Sequence, residues 1–214
     1  MIRPLALSAL LLLAGCGERM PVAGNGVEPV RDAALAAEPL PDIVRVRLET
    51  EAGAIVVALD ARRAPVTTAN FVRYADEKRF DGTTFYRAAP AKGAPGRGLI
   101  QGGIRRNYRR MLPPIAHEPT SETGLKHEAG TISMARGEGR GAMGEFFITT
   151  AAMPSMDAAG AEQGFAAFGK VVDGMDAVRA ILAAPTVPGA GRGAMKGQMI
   201  AKPVRIVTVR RLPG

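Results

Sequence analysis

The 214-residue chain has no tryptophan, one cysteine, two histidines and only 5% aromatic residues. Each shortage removes a class of function. Nucleic-acid binding by base stacking needs an aromatic platform, so with so few rings that reading would rest on charge alone. A single cysteine, Cys16, has no intramolecular disulfide partner. The pairs His117-Glu118 and His127-Glu128 lack the i, i+4 histidine spacing of a helical zinc site, so both are read as surface loop residues and no metal is expected. The apolar run within residues 1–16 falls short of the about 20 residues that span a bilayer. Acidic residues are outnumbered 20 to 28 by basic ones, giving a net charge of +8 and a pI near 10.2. That balance favours acidic surfaces. The one dense basic patch, Arg105, Arg106, Arg109 and Arg110, reads as a solvated face.

What is present begins with Met-Ile-Arg-Pro, an apolar stretch and then Leu13-Ala14-Gly15-Cys16. A positive start and a short apolar core ending at small residues define a secretory signal. The last four residues resemble a bacterial lipobox, which implies lipid attachment at Cys16 and a protein held at the cell envelope facing the periplasm. Gly17 after the cysteine, by the same analogy, leans toward the outer membrane. Residues 17–42 are rich in Ala, Pro, Gly, Glu and Val without a period and read as a flexible tether. The expected organisation is a signal over 1–16, this tether, and a folded domain over 43–214.

Within that domain Val44, Val46 and Leu48 alternate with Arg45, Arg47 and Glu49, the pattern of a half-buried strand. Glu51-Ala52-Gly53 turns the chain into a second strand over 54–59. Pro65 suits the first turn of a helix whose Phe71, Tyr74 and Ala75 share a face. Further strands are expected around Arg87, over 131–135, 145–149, 166–172 and 204–210, with a second helix over 174–183. The stretch 104–130 reads as a long surface excursion. Many short strands with two helices argue for a mainly β fold closed into an antiparallel barrel, since closure removes exposed edges. Gly139-Arg140-Gly141-Ala142-Met143-Gly144 satisfies a dinucleotide-loop pattern, but strand residues rather than a helix follow it, which argues against nucleotide binding.

Phe85-Tyr86-Arg87, Leu99-Ile100-Gln101-Gly102-Gly103, Gly130-Thr131-Ile132-Ser133-Met134-Ala135 and Glu145-Phe146-Phe147-Ile148-Thr149 follow in order. Together, over about Val44 to Leu212, they resemble the cyclophilin family of peptidyl-prolyl cis-trans isomerases. The resemblance implies a closed eight-stranded antiparallel β-barrel capped by two α-helices and a catalytic trio of Arg87, Gln101 and Phe147. It implies a substrate site lined by Leu99, Met156 and Phe165, with the Ala135 and Arg136 backbone pairing with an extended peptide. Glu145 stands where the family usually has Gln, Gly98 where it has an aromatic, and Ser155-Met156-Asp157 where many members carry Trp-Leu-Asp. Because side chains repeat every two residues along a strand, Glu145 shares the face of Phe147, where it is expected to attract Arg87 or Arg136. Isomerisation breaks no covalent bond, so neither nucleophile nor cofactor is expected. The expected partners are proline-containing polypeptides and, through lipid, a membrane, with no nucleic acid. A non-catalytic peptide-binding or scaffolding lipoprotein on the same fold is the alternative.

Overall fold

The computed structural model describes residues 40–105, 107–137 and 141–213. The expected signal, Cys16 and most of the tether lie outside the described residues. The last residues assigned to the tether do not hang free. Leu40 packs against the core, and the Asp42 carbonyl accepts the Ala61 N–H at 2.9 Å. No helix among the described residues is long and apolar enough to cross a membrane.

Eight strands close into a barrel: β1 (Ile43–Thr50), β2 (Gly53–Asp60), β3 (Thr84–Pro90), β4 (Gly98–Gly103), β5 (Thr131–Met134), β6 (Glu145–Thr149), β7 (Ala166–Asp173) and β8 (Met199–Arg211). Around the barrel they run β1-β2-β7-β5-β6-β4-β3-β8, and every pairing is antiparallel. The alternation in β1 is realised directly, with Val44, Val46 and Leu48 buried. Two helices each bury a face in the same core, α1 (Pro65–Asp76) and α3 (Met175–Leu182). A short third helix, α2 (Thr120–Thr123), lies in the excursion between β4 and β5, where four residues give no readable period.

Helix α1 starts at Pro65 as its sequence suggests, but its own preceding residue, Ala64, offers no capping side chain. Glu118 supplies the cap from the distant loop, its two carboxylate oxygens accepting the Val66 and Thr67 N–H groups at 3.0 and 2.7 Å. A carboxylate there answers both the orphan amides and the positive end of the helix dipole. From α1, Phe71 enters an aromatic cluster with Phe80, Phe146 and Phe168, at ring separations of 4.9, 5.3 and 5.5 Å.

Strand β8 begins at Met199, earlier than its expected start near Val204. Just before that expected start stands Pro203, which cannot donate to a ladder. In the structure that proline falls in a register break: Phe85 faces Val204, whereas Arg87 faces Met199. The basic patch is also more divided than expected. Arg110 turns inward and donates to the Arg79 and Asp81 carbonyls at 2.8 and 2.6 Å, while Arg105 and Arg109 are exposed.

Candidate functional site

An extra residue in β3 creates the site. Phe85 pairs with Gly102 and Arg87 with Gln101, so Tyr86 is unpaired in a β-bulge. Regular alternation would put Tyr86 and Arg87 on opposite faces. With the bulge, Phe85 and Ala88 both enter the core while Tyr86 and Arg87 both face out of the barrel. The ladder then continues across the sheet. Arg87 is opposite Gln101, Gln101 opposite Phe147, and Phe147 opposite Ser133. The trio expected from sequence thus forms one row over β3, β4 and β6.

Arg87 is held at two points. Its Nη1 donates to Gln101 Oε1 at 2.8 Å, and its Nε donates to Gln198 Oε1 at 2.8 Å. Burial draws its pKa down from the usual arginine value, yet the base value is so high that the group stays cationic. No other bond of its guanidinium is made among the described residues. Gln198 was not anticipated. It lies 111 residues from Arg87 in a Gly-rich loop, and no local pattern marks it.

Phe147 and Leu99 are buried without belonging to the barrel core, unlike their chain neighbours Phe146 and Ile100. Leu99 lies on the same side of β4 as Gln101, two residues away. Phe165 meets Phe147 edge to face at 5.4 Å, and its N–H donates to the Met156 carbonyl at 2.9 Å, tying these two expected lining residues together. The Ala135 amide is already committed to the Glu145 carbonyl at 2.8 Å, so a peptide can pair there only through the Ala135 carbonyl. The Arg136 side chain is turned to the Gly164 carbonyl, which its Nε and Nη2 reach at 3.1 and 2.9 Å.

Glu145 corrects an expectation. The register puts it opposite Gly103, two positions from Phe147 and on the same face. Its Oε2, however, accepts the Tyr86 hydroxyl at 2.7 Å, and the bonds of Arg87 and Arg136 go elsewhere. Tyr86, from the Phe85-Tyr86-Arg87 motif, is a site residue to which the sequence assigns no role. A polar aromatic beside a proposed cation was the available signal.

His127 is a second correction. It is not a surface residue but 1% exposed. Its ring lies over Phe147 with centroids 5.7 Å apart. Its Nδ1 pairs with Asp157 Oδ1 at 2.7 Å and its Nε2 with Ser133 Oγ at 2.9 Å. Burial pushes its pKa down against the pull of Asp157, so the ring is neutral near pH 7. The geometry then has Nδ1–H donating to Asp157 and Nε2 accepting from the Ser133 hydroxyl. The Ser-His-Asp order suggests acyl transfer, but Ser133 is fully buried and no substrate carbonyl can reach it. His117 stays in the loop, its Nε2 near the Gln163 carbonyl at 2.9 Å.

Gly98, where the family has an aromatic, is dictated by its own backbone. Its φ is +147°, and a Cβ would stand 2.2 Å from the Ala89 carbonyl oxygen.

The family described as cyclophilin type peptidyl-prolyl cis-trans isomerase/CLD matches residues 45–211. Peptidyl-prolyl cis-trans isomerase A of Dickeya dadantii is 38% identical over 135 residues, covering 61% of this chain and 67% of that protein. A peptidyl-prolyl cis-trans isomerase of Acinetobacter baylyi is 31% identical over 169 residues, covering 77% and 84%. In fold, the chain is similar to a cyclophilin type isomerase of Cryptosporidium parvum solved in the presence of the dipeptide Ala-Pro. The TM-score is 0.63 at 20% identity, over 79% of this chain and 99% of that one.

Proposed function

The chain belongs to the cyclophilin-type peptidyl-prolyl cis-trans isomerase family, and from that premise we propose that Arg87, Gln101 and Phe147 are the residues with which it turns X-Pro bonds. The activity itself is peptidyl-prolyl cis-trans isomerisation. Amide resonance sets a barrier of about 18–20 kcal/mol, so the uncatalysed exchange takes roughly tens to hundreds of seconds. The catalyst must bind the twisted amide better than the planar one. As the bond twists, the prolyl nitrogen regains its lone pair, and a donor of Arg87 stabilises it there. Phe147 is the floor for the proline ring, with Leu99, Met156 and Phe165 as walls. The Ala135 carbonyl and the Arg136 backbone take the extended peptide. The Glu145 carboxylate disfavours an acidic residue beside the proline.

The observation that carries this reading is the unbroken row Arg87, Gln101, Phe147, in which a fixed cation lies beside an apolar surface. Each tenfold in rate requires about 1.4 kcal/mol of preferential stabilisation, within reach of a few charge-assisted bonds. A protease-coupled assay of a proline tetrapeptide tests it. The purified protein accelerates cis-to-trans exchange in proportion to its concentration. Binding without acceleration would instead select the scaffolding alternative.

The proposal extends to location: a lipid-anchored protein of the bacterial envelope, facing the periplasm and leaning to the outer membrane. Its support is the short apolar run ending in Leu13-Ala14-Gly15-Cys16, followed by Gly17. Proline-containing envelope polypeptides are then its substrates.

A further inference from the structure

A chain of hydrogen bonds leads away from Arg87 to a carboxylate. Arg87 Nη1 donates to Gln101 Oε1 at 2.8 Å, Gln101 Nε2 donates to the Tyr86 hydroxyl at 2.9 Å, and that hydroxyl donates to Glu145 Oε2 at 2.7 Å. Its ends have fixed character. A guanidinium only donates and an ionised carboxylate only accepts, while a phenol has one proton to give. With both ends charged, one direction of bonding satisfies all four groups. Reversing the Gln101 amide would set its NH₂ against the guanidinium and its carbonyl against a hydroxyl whose proton is already engaged.

We infer that Tyr86 and Glu145 are positioning residues that lock the amide of Gln101 in one orientation and, through it, the aim of Arg87. This inference rests on the isomerase reading of Arg87. Tyr86 and Gln101 are only 6% and 8% exposed, so water is poorly placed to replace either bond. Burial, followed by the charge of Glu145, drives the Tyr86 pKa far above its ordinary value, so its proton stays in the chain. The bulge in β3 and the absence of a side chain at Gly103 make the arrangement possible. A Cβ at Gly103 would stand 2.8 Å from Glu145 Oε2.

Two conservative variants separate this role from a direct effect of charge on substrate. Tyr86→Phe removes the linking hydroxyl. Glu145→Gln replaces an obligatory acceptor with a group that can also donate, which removes the opposition to reversal at that end of the chain and leaves Arg87 alone to resist it. On a neutral Ala-Pro peptide each is expected to lower kcat/KM about tenfold, which corresponds to about 1.4 kcal/mol. The loss should lie mainly in kcat, because the aim of Arg87 matters most in the twisted state. Residues acting in series do not add, so the double variant should be no worse than the poorer single one.

A Glu145→Gln effect that persists in full in the Tyr86→Phe background overturns the inference, as does a rise in kcat/KM for Glu145→Gln. The Gln101 side-chain amide resonances give a readout besides rate. They should shift in Glu145→Gln while the melting temperature changes little, and unchanged resonances would also overturn the inference, even if Tyr86→Phe failed to fold. Arg87→Ala separates the two levels of the argument. Wild-type turnover in Arg87→Ala would sink the reading of the site. Loss of turnover there, with Tyr86→Phe and Glu145→Gln both at the wild-type rate, would sink the positioning role alone.

Discussion

The imidazole of His127 lies face to face with the ring of Phe147, their planes 11° from parallel. Asp157 and Ser133 hold the imidazole from opposite sides, so the Phe147 ring rests on a polar support that is itself fixed. His127→Ala removes the stack and leaves the Ser133 hydroxyl and the Asp157 carboxylate short of a partner. The expected cost is about 2–4 kcal/mol in urea denaturation. KM for proline peptides should rise as Phe147 loses its backing.

The same histidine makes stability sensitive to mild acid. An unfolded chain takes up this proton near pH 6.5, whereas the buried ring does so only at lower pH. In that window the unfolded state binds more protons, so stability falls as pH falls. Asp60, Glu77 and Asp81 are also shifted down, but they lose their contributions below about pH 4.5, the ordinary carboxylate range. The urea midpoint should therefore be lower at about pH 5.5 than at about pH 7.5. An identical difference in His127→Ala would assign the effect elsewhere.

Arg87→Ala should cut kcat/KM by at least about two orders of magnitude, roughly 3 kcal/mol of transition-state stabilisation. Peptide affinity should fall much less, because Phe147 remains. Arg87→Lys should rescue little. A single ammonium cannot reproduce the fork that spans Gln101 and Gln198. Calorimetric titration beside the coupled assay separates binding from turnover.

What could be read from the residues, and what could not, divides along physical lines. The alternation of β1 and the helix face of Phe71 and Tyr74 are local patterns, and each was read at nearly its true extent. That Arg87, Gln101 and Phe147 would come together was legible through motif order, since each stands on its own strand. Gln198 and Glu118 were not, because each acts on a segment 50 or more residues away and carries no periodic signal. His127 was misread because only metal-site spacing was weighed for it, while its partner Asp157 lies 30 residues on. The direction of the Glu145 side chain depended on Tyr86, whose outward turn comes from an irregularity that a period-two pattern cannot display.

Glu118 offers a test remote from the row of Arg87, Gln101 and Phe147. Glu118→Ala strips the N-terminus of α1 of its only side-chain acceptors among the described residues. It should destabilise the fold by about 1–2 kcal/mol, a fall in Tm of roughly 2 to 8 °C. Isomerase activity below the melting transition should be unchanged. A melting curve that overlays the wild type would show that water replaces this cap without penalty.

Cys16→Ser tests the anchor. It should abolish lipid attachment and leave the precursor unprocessed by the lipoprotein pathway. Mass spectrometry of the mature native protein should find lipid on Cys16 as its first residue. An unmodified N-terminus at another position would reject the anchored form.

The unpaired residue in β3 gives this enzyme an unusual arithmetic. Side chains on a strand are sorted by parity, odd to one side and even to the other. Phe85 and Arg87 have the same parity, yet one packs among hydrocarbon and the other faces out of the barrel. A one-residue deletion at that point would restore regular counting in the ladder, and only one of the two neighbours Tyr86 and Arg87 could then look outward. Either the outward cation or the outward phenol would be lost. The length of this strand, as much as its composition, is therefore under chemical constraint.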